Sequence, residues 1–424
     1  MAPAGNFECL QAAIQGGADS VYFGIGRLNM RSHSANNFAP EDLRQVCDIC
    51  RAAGVRSYLT LNITLFDEDL APMREALDAA RKAGVSAVIA SDMAAIAATR
   101  ERGLEVHIST QLSISNLESL RFYSQFADVI VLARELRLEQ VRAIAEGIDR
   151  EGICGPSGRP VQIEMFCHGA LCMAISGKCY LSLHEHAASA NRGNCYQVCR
   201  RGYEVTDLDS GRQLHIDNQY IMSPKDLCTI EFLDKMAEAG VTVFKIEGRA
   251  RSADYVKTTS HAYRTAADAI EAGRFTAELG AALKEELYKV FNRGFWDGYY
   301  QGARLGEWSS VYGNQATRTK TYLGKVSNYY GRLGVAEIKM ETGRFRPGDT
   351  LLFCGSTTGV VETTVLEIRL DDDHLLAEAA PGDLCSVSVP ERVRRGDKVY
   401  YWGAAPIPAP PGLNTLLMRE SSGS

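Results

Sequence analysis

The sequence predicts an α/β protein: a TIM-type (β/α) barrel with its first strand truncated, followed by a small C-terminal antiparallel β-barrel domain. Three observations carry that prediction. Short apolar, β-branched runs recur at 20–23, 57–61, 87–90, 105–108, 129–132, 161–165 and 241–246. Between most of them lie stretches with 3.6-residue apolar periodicity, such as 40–53, 70–83, 117–126 and 138–146. Strand alternating with helix builds a parallel sheet covered by helices, and seven strands over about 250 residues is the size of a (β/α)₈ barrel. From Thr319 onward the pattern changes to short alternating runs broken by Gly331, Gly343, Pro347-Gly348-Asp349, Pro381-Gly382-Asp383 and Gly396-Asp397, which reads as antiparallel strands joined by turns.

At the front, Met1-Ala2-Pro3-Ala4-Gly5-Asn6 reads as a strand-to-helix loop that enters a helix at 7–15 directly. An eighth strand is therefore expected to be missing, and the natural chain to begin a few residues earlier. An open doubly wound sheet of seven strands is the alternative. After Gly248 a long helical region runs to about Tyr288, followed by Phe291-Asn292-Arg293-Gly294-Phe295-Trp296. The barrel and its last helices are thus expected over 1–300, with an insertion at 167–228, a linker at 301–318 and a β-barrel of six or so strands at 319–403. Pro406, Pro408, Pro410 and Pro411 mark 404–424 as a loose tail.

The composition narrows function. Of 424 residues 46% are hydrophobic and 23% charged, enough apolar surface to exclude disorder as the main theme. A net charge of −6 excludes a protein-wide basic field for nucleic acid, though not a local patch. No window approaches the ~20 apolar residues of a membrane helix, and no signal peptide opens the chain, so the expected location is cytoplasmic. Twelve cysteines in a reducing compartment point to metal or redox chemistry where they cluster. Cys9, Cys47, Cys50, Cys154, Cys354 and Cys385 are scattered and read as structural. The other six crowd into 167–228.

A parallel α/β barrel carries its chemistry at the C-terminal ends of its strands. Those ends hold Asn62 and Thr64, Ser91-Asp92, Ser109-Thr110-Gln111, Glu164 leading to Cys167-His168-Gly169, and Lys245, Glu247, Gly248 and Arg249. Singly each is a turn residue or helix cap; converging on one rim they nominate a site. The cysteines run Cys167-x4-Cys172-x6-Cys179-x15-Cys195-x3-Cys199, with Cys228 further on. This is neither the paired knuckles of a structural zinc site nor a ferredoxin run. Irregular spacing suits thiolates arriving from separate loops to hold a metal or an iron–sulfur cluster. Arg192, Arg200, Arg201, Arg249 and Arg251 offer an anion-binding set beside them. There is no zinc-protease helix, no P-loop and no Gly-x-Ser-x-Gly elbow, and Gly24-Ile25-Gly26 lacks a third glycine.

The segment Glu164-Met165-Phe166-Cys167-His168-Gly169-Ala170-Leu171-Cys172, continuing through Lys178-Cys179-Tyr180-Leu181-Ser182, resembles the signature of the collagenase-like peptidase family U32. So do Ala2-Pro3-Ala4-Gly5-Asn6, Asn191-Arg192-Gly193-Asn194-Cys195, Ser223-Pro224-Lys225-Asp226-Leu227 and Phe244-Lys245-Ile246-Glu247-Gly248-Arg249. The resemblance covers residues 1–300 and extends, in the C-terminal domain, to the longer members. It implies iron–sulfur-dependent, oxygen-independent hydroxylation, and Cys195-x3-Cys199 followed by Arg200 looks most like the tRNA branch. The activity implied is formation of 5-hydroxyuridine at the tRNA wobble position, with prephenate as oxygen source and the anticodon loop as partner. A 4Fe–4S cluster on Cys172, Cys179, Cys195 and Cys199 is implied, with Cys228 as rival fourth ligand.

Side-chain roles follow as expectations. Glu164, His168, Lys245 and Glu247 are candidates for proton transfer, and Gln111 and Asn62 for the base edge. Arg31, Arg249, Arg251, Thr110 and Arg200 are candidates for binding a dicarboxylate or phosphate. A ribosomal RNA or quinone-precursor hydroxylase, a peptidase using Cys167-His168, and a non-catalytic cluster-bearing scaffold are the competing readings. Neighbours on a strand point to opposite faces, which counts against the peptidase pair. A homo-oligomer or a partner subunit remains open.

Overall fold

The computed structural model describes residues 1–203, 222–302, 306–309, 313–370 and 374–405, with 205–206, 208–209 and 213–214. Its core is a parallel sheet of eight consecutive strands: β1 (Ala2–Pro3), β2 (Ser20–Phe23), β3 (Arg56–Leu61), β4 (Ala87–Ala90), β5 (Glu105–Ile108), β6 (Val129–Val131), β7 (Gln162–Gly169) and β8 (Val241–Ile246). Each pairs in parallel with the next in the chain. A short strand, Asp226–Cys228, adds antiparallel to the end of β7, and Phe295–Trp296 lies parallel to it, making ten strands. Strands such as Ala87-Val88-Ile89-Ala90 are buried along their whole length, because parallel strands are covered on both faces.

The first strand is present, which corrects the loop expected at residues 1–6. Ala2 and Pro3 pair with Val21 and Tyr22, and the Ala4 N–H donates to the Tyr22 carbonyl. Two residues, one a proline, are too few to show any periodicity. Met1 also links the two ends of the series: its amino group donates to the Phe244 carbonyl at 2.8 Å, and the Ile246 N–H donates to the Met1 carbonyl at 3.0 Å.

Helices α1 (Phe7–Gln15), α2 (Leu43–Ala52), α3 (Leu70–Ala83), α4 (Met93–Glu101), α5 (Leu117–Ser124) and α6 (Leu138–Glu151) connect successive strands. Asn6 caps α1 by accepting from the Cys9 N–H, and Asn116 caps α5 by accepting from Ser119. A short α7 (Leu181–His186) lies among the cysteines, and α8 (Leu233–Glu238) precedes β8. The helical region after Gly248 is two helices, α9 (Ala253–Glu271) and α10 (Ala277–Tyr288), broken where Gly273 takes a left-handed φ of 63°.

Residues 318–404 form a separate seven-stranded antiparallel sheet, one strand more than expected, with its own core around Leu323, Ile338, Phe345 and Phe353. It leans on α1 and α9. The Gln15 amide donates to the Thr358 carbonyl and accepts from the Val360 N–H, and Lys320 pairs with Asp254. Of the expected linker, residues 306–309 pack along Ser223–Lys225: Ser309 N–H donates to the Ser223 carbonyl and Lys225 pairs with Glu307. The tail expected from 404 lies outside the described residues from 406 on. Among the described residues no helix is long and apolar enough to cross a membrane.

Candidate active site

The C-terminal ends of the parallel strands open into a cavity lined by polar, charged and aromatic side chains from several strands, the kind of concavity in which small-molecule sites are built. Tyr22, Thr60, Ile89, Phe166 and Lys245 line it from β2, β3, β4, β7 and β8. Around them stand Arg31, Asn62, Thr110, Gln111, Arg134, Glu247 and Arg249, with Cys172, Cys179 and Cys195 also in the lining. A second cavity shares Arg134 and Cys172 and is walled by Trp296, Tyr299 and Trp308.

Two ion pairs organise the charge. Arg31 donates from Nε and Nη2 to Glu247 Oε1 at 3.3 and 3.0 Å. Burial alone would raise the Glu247 carboxyl, but the charges of Arg31 and then Arg251 outweigh it and hold the group at about 2. Below, Lys245 Nζ donates to Glu164 Oε1 at 2.6 Å, with both side chains almost wholly buried. Burial pulls the Lys245 ammonium below its ordinary range while the Glu164 carboxylate works to hold it up.

Two arginines have only neutral partners among the described residues. Arg249 is buried and donates to Asn29 Oδ1 and Thr60 Oγ1, both at 2.9 Å. Arg134 donates to the Ala170 carbonyl and lies 3.8 Å over the Phe166 ring. Gly24 makes room for the first: a Cβ there would stand 2.6 Å from Arg249 Nη1 and from the Asn29 amide. Asn62 joins the loops at the mouth, accepting from the Met30 N–H and donating to Ser109 and Gln111 at 3.2–3.4 Å.

The structure brings Asn62, Gln111, Thr110, Arg31, Lys245, Glu247 and Arg249 to one cavity, with Glu164 directly beneath it. It does not bring His168, Arg251 or Arg200. On β7 an extra residue enters opposite Lys245 and Ile246, which reverses the inward and outward alternation. His168 therefore packs outward among Tyr255, Tyr263 and Phe295, where burial pushes it down to about 3. Arg251 stacks 3.6 Å from the Phe291 ring centre. Arg200 spends its donors on the carbonyls of Leu171 and Pro224 and on Ser223, and so staples the cysteine segment to residues 223–224.

The cysteines separate likewise. Burial raises the Cys199 thiol against the opposing charge of Arg200, and Cys172, Cys195 and Cys179 raise it further, so those three thiols sit within electrostatic reach of Cys199. Cys228 is elsewhere: buried, paired through its backbone with His168, and held at about 11, mainly by burial. Arg192 anchors the loop before Cys195 by donating to the buried Asp69 at 2.7 Å and to the Thr64 carbonyl, over the Phe66 ring. Three thiols in the lining of the cavity, with Cys199 within their electrostatic reach, are the soft donors an iron–sulfur cluster takes. In kind and location they fit such a group, although no three His, Cys, Asp or Glu among the described residues are already drawn into a ligand cage. Of the six cysteines read as structural, all but Cys154 are buried.

Sequence reasoning missed Arg134 and His107. Arg134 follows β6, and the strand-end rule that nominated Asn62 and Gln111 would have found it. His107 lies within β5 and no sequence signal marks it.

The family model of peptidase family U32 matches residues 5–310. The chain belongs to that family. This U32 chain is similar to a protein named collagenase from Porphyromonas gingivalis, strain W83, at 59% identity over 400 residues, covering 94% of this chain and 96% of that one. It is also similar to tRNA hydroxylation protein P1 of Bacillus subtilis, at 34% identity over 387 residues, 89% of this chain and 88% of that one. The 23S rRNA 5-hydroxycytidine C2501 synthase of Escherichia coli is 35% identical over 314 residues, 72% of this chain and 46% of that protein.

Proposed function

We propose that this U32 chain is an RNA hydroxylase that forms 5-hydroxyuridine at the tRNA wobble position, with prephenate as oxygen source. The observation that carries the reading is the pair Arg134 and Arg249: two guanidinium groups with neutral partners facing a cavity that Cys172 also lines. Two fixed cations in a buried cavity call for a dianion, and prephenate is a dicarboxylate. The relatives named for tRNA and rRNA hydroxylation support an RNA as the second substrate. The Trp296, Tyr299 and Trp308 walls of the adjoining cavity offer stacking faces to a base splayed from a single-stranded loop. An RNA substrate sets its work in the cytoplasm. We read the parallel sheet as a closed (β/α) barrel, a reading the Met1 hydrogen bonds to β8 support.

Cys172, Cys179, Cys195 and Cys199 would hold a 4Fe–4S cluster, which supplies the redox capacity that side chains lack for oxygenating a pyrimidine carbon. The protein's own groups do the rest. Arg134 and Arg249 bind and orient the carboxylates, Arg31 holds Glu247 ionised at the mouth, and Asn62 and Gln111 present amide groups to a base edge. Lys245 stands at the floor as the group able to give or take a proton. The peptidase name of the family is the second reading, favoured by the Porphyromonas relative. Cys167 counts against it: burial raises its thiol far above the thiolate range, while His168 is neutral and faces the helices.

Nucleoside mass spectrometry of tRNA from cells with and without the gene, grown without oxygen, tests the proposal. Loss of 5-hydroxyuridine and its derivatives on deletion is the expected result, reproduced by Cys172→Ala. Unchanged tRNA removes that substrate and directs the assay to ribosomal RNA and quinones.

A further inference from the structure

Beneath the cavity a line of buried titratable groups crosses the interior of the sheet. Lys245 Nζ donates to Glu164 Oε1 at 2.6 Å. Glu164 Oε2 faces His107 Nδ1 at 3.9 Å, and His107 Nε2 lies 3.0 Å from Glu105 Oε1. Glu105 in turn accepts from Arg56 at 2.7 Å, where the line reaches the surface. Glu164 and His107 are 0% and 1% exposed, and the two atoms that face each other have no hydrogen-bond partner.

Counting protons on this line leads to a constraint. Glu105 is held ionised, since His107 and Arg56 outweigh the burial that would raise it. The His107 nitrogen beside that carboxylate therefore carries its proton as the donor. Its other nitrogen is then a lone pair pointing at a carboxylate oxygen, two buried acceptors face to face, each left unpaired at a cost in free energy. One added proton between them turns two acceptors into a donor and an acceptor. On His107 it makes an imidazolium between two carboxylates; on Glu164 it makes a carboxylic acid donating to the ring.

We propose that Glu164 and His107 hold one shared proton, and that this proton sets whether Lys245 meets the cavity's ligand as an ammonium or as a free amine. With the proton in place, the pair beside Lys245 is neutral overall, and the amine is free to act as a base toward a bound ligand. When Lys245 Nζ takes a proton from the ligand, its N–H bond forms as the ligand's bond to hydrogen breaks. The shared proton then leaves through His107 to Glu105 and from there to solvent beside Arg56, which restores the full Glu164 carboxylate beside the ammonium. His107 is thus a positioning residue acting through Glu164. The other groups facing the line are the Tyr58 ring, 4.6 Å from His107, and the Tyr22 ring, 4.8 Å from Lys245. The Met1 amino group also faces Glu164 and Lys245, and Arg249 and Arg134 act on Lys245 from the mouth. The inference rests on the cavity and is independent of which substrate fills it.

The test is the pH profile of Lys245 acylation by acetic anhydride in the full-length protein, read by peptide mass spectrometry. His107→Phe is expected to move the midpoint up, slowing acylation about tenfold at neutral pH, because Glu164 is left a full carboxylate. Glu164→Gln is expected to move it down, speeding acylation about tenfold. Midpoints that stay put in His107→Phe, or that move the same way in both variants, overturn the proposal. Should His107→Phe fail to fold, ring ¹⁵N shifts of His107 in the native protein decide. Shifts showing Nδ1 protonated or sharing a proton support the proposal, and an unshared Nδ1 lone pair at every pH from about 5 to about 9 overturns it.

Discussion

Removing Arg31 from its pair with Glu247 has a consequence whose size follows from the structure. The carboxyl is held at about 2 against an ordinary 4.5, which amounts to about 3 kcal/mol of folding stability at neutral pH. Because the folded-state value lies below the unfolded one, that contribution is complete above pH 4.5 and is lost as pH falls toward 2; about 1 kcal/mol survives at pH 3. Arg31→Met takes away the nearest cation while leaving Arg251 to act. It is expected to cost about 2–3 kcal/mol at pH 7 and no more than about 1 kcal/mol at pH 3. Urea unfolding at both pH values, followed by tryptophan fluorescence in a Trp308→Phe, Trp402→Phe background that leaves Trp296 as the reporter, measures the difference. An equal cost at the two pH values, or none at pH 7, would refute the account of Glu247.

Lys245→Met removes the donor 2.6 Å from Glu164 Oε1 and leaves that buried acceptor unpaired, which is expected to cost about 1–3 kcal/mol in the same unfolding assay. The double variant with Glu164→Leu recovers most of it, because donor and acceptor leave together. Asp69→Asn weakens the hydrogen bond that chiefly holds Asp69 below its ordinary range and anchors Arg192. Faster limited proteolysis within 172–199 is the expected readout, with little change in the urea midpoint of the sheet. Gly24→Ala puts a methyl group 2.6 Å from Arg249 Nη1, so a lower melting temperature by several degrees is expected, reversed in part by shortening the crowded neighbour with Arg249→Ala.

Much of the fold was legible because parallel strands buried on both faces read as unbroken apolar runs. All seven runs singled out in the sequence became strands, and α6 simply extends to Glu151. The failures have local causes. β1 has two residues and no pattern to read. His168 was nominated because it ends β7, and only the extra residue opposite Lys245 and Ile246 turns it outward; a bulge leaves no trace in residue type. Arg200 and Arg251 are expected from the sequence to bind an anionic ligand, yet nearby carbonyls and the Phe291 ring occupy them. His107 was invisible for a different reason: its partner Glu164 lies two strands away, across β6, so that only the three-dimensional stacking of β5 and β7 brings them face to face.

The charge of the cavity gives the sharpest separation between readings of its ligand. Arg31 is neutralised by Glu247 and Lys245 by Glu164, which leaves Arg134 and Arg249 as two positive charges held by neutral groups. A monocarboxylate can satisfy one of them and leaves the other buried and unmatched; a dicarboxylate can satisfy both. A charge-assisted hydrogen bond is worth about 1.5–3 kcal/mol, so a dicarboxylate is expected to bind about 10- to 100-fold more tightly than its monocarboxylate analogue. Arg134→Met and Arg249→Met should each erase that preference while retaining the weaker monocarboxylate affinity. Calorimetric titration of prephenate and of phenylpyruvate into the native protein and both variants measures it. Equal affinity for the two ligands in the native protein would mean that the two arginines serve something other than a small dianion, with the phosphates of an RNA backbone the next ligand to titrate.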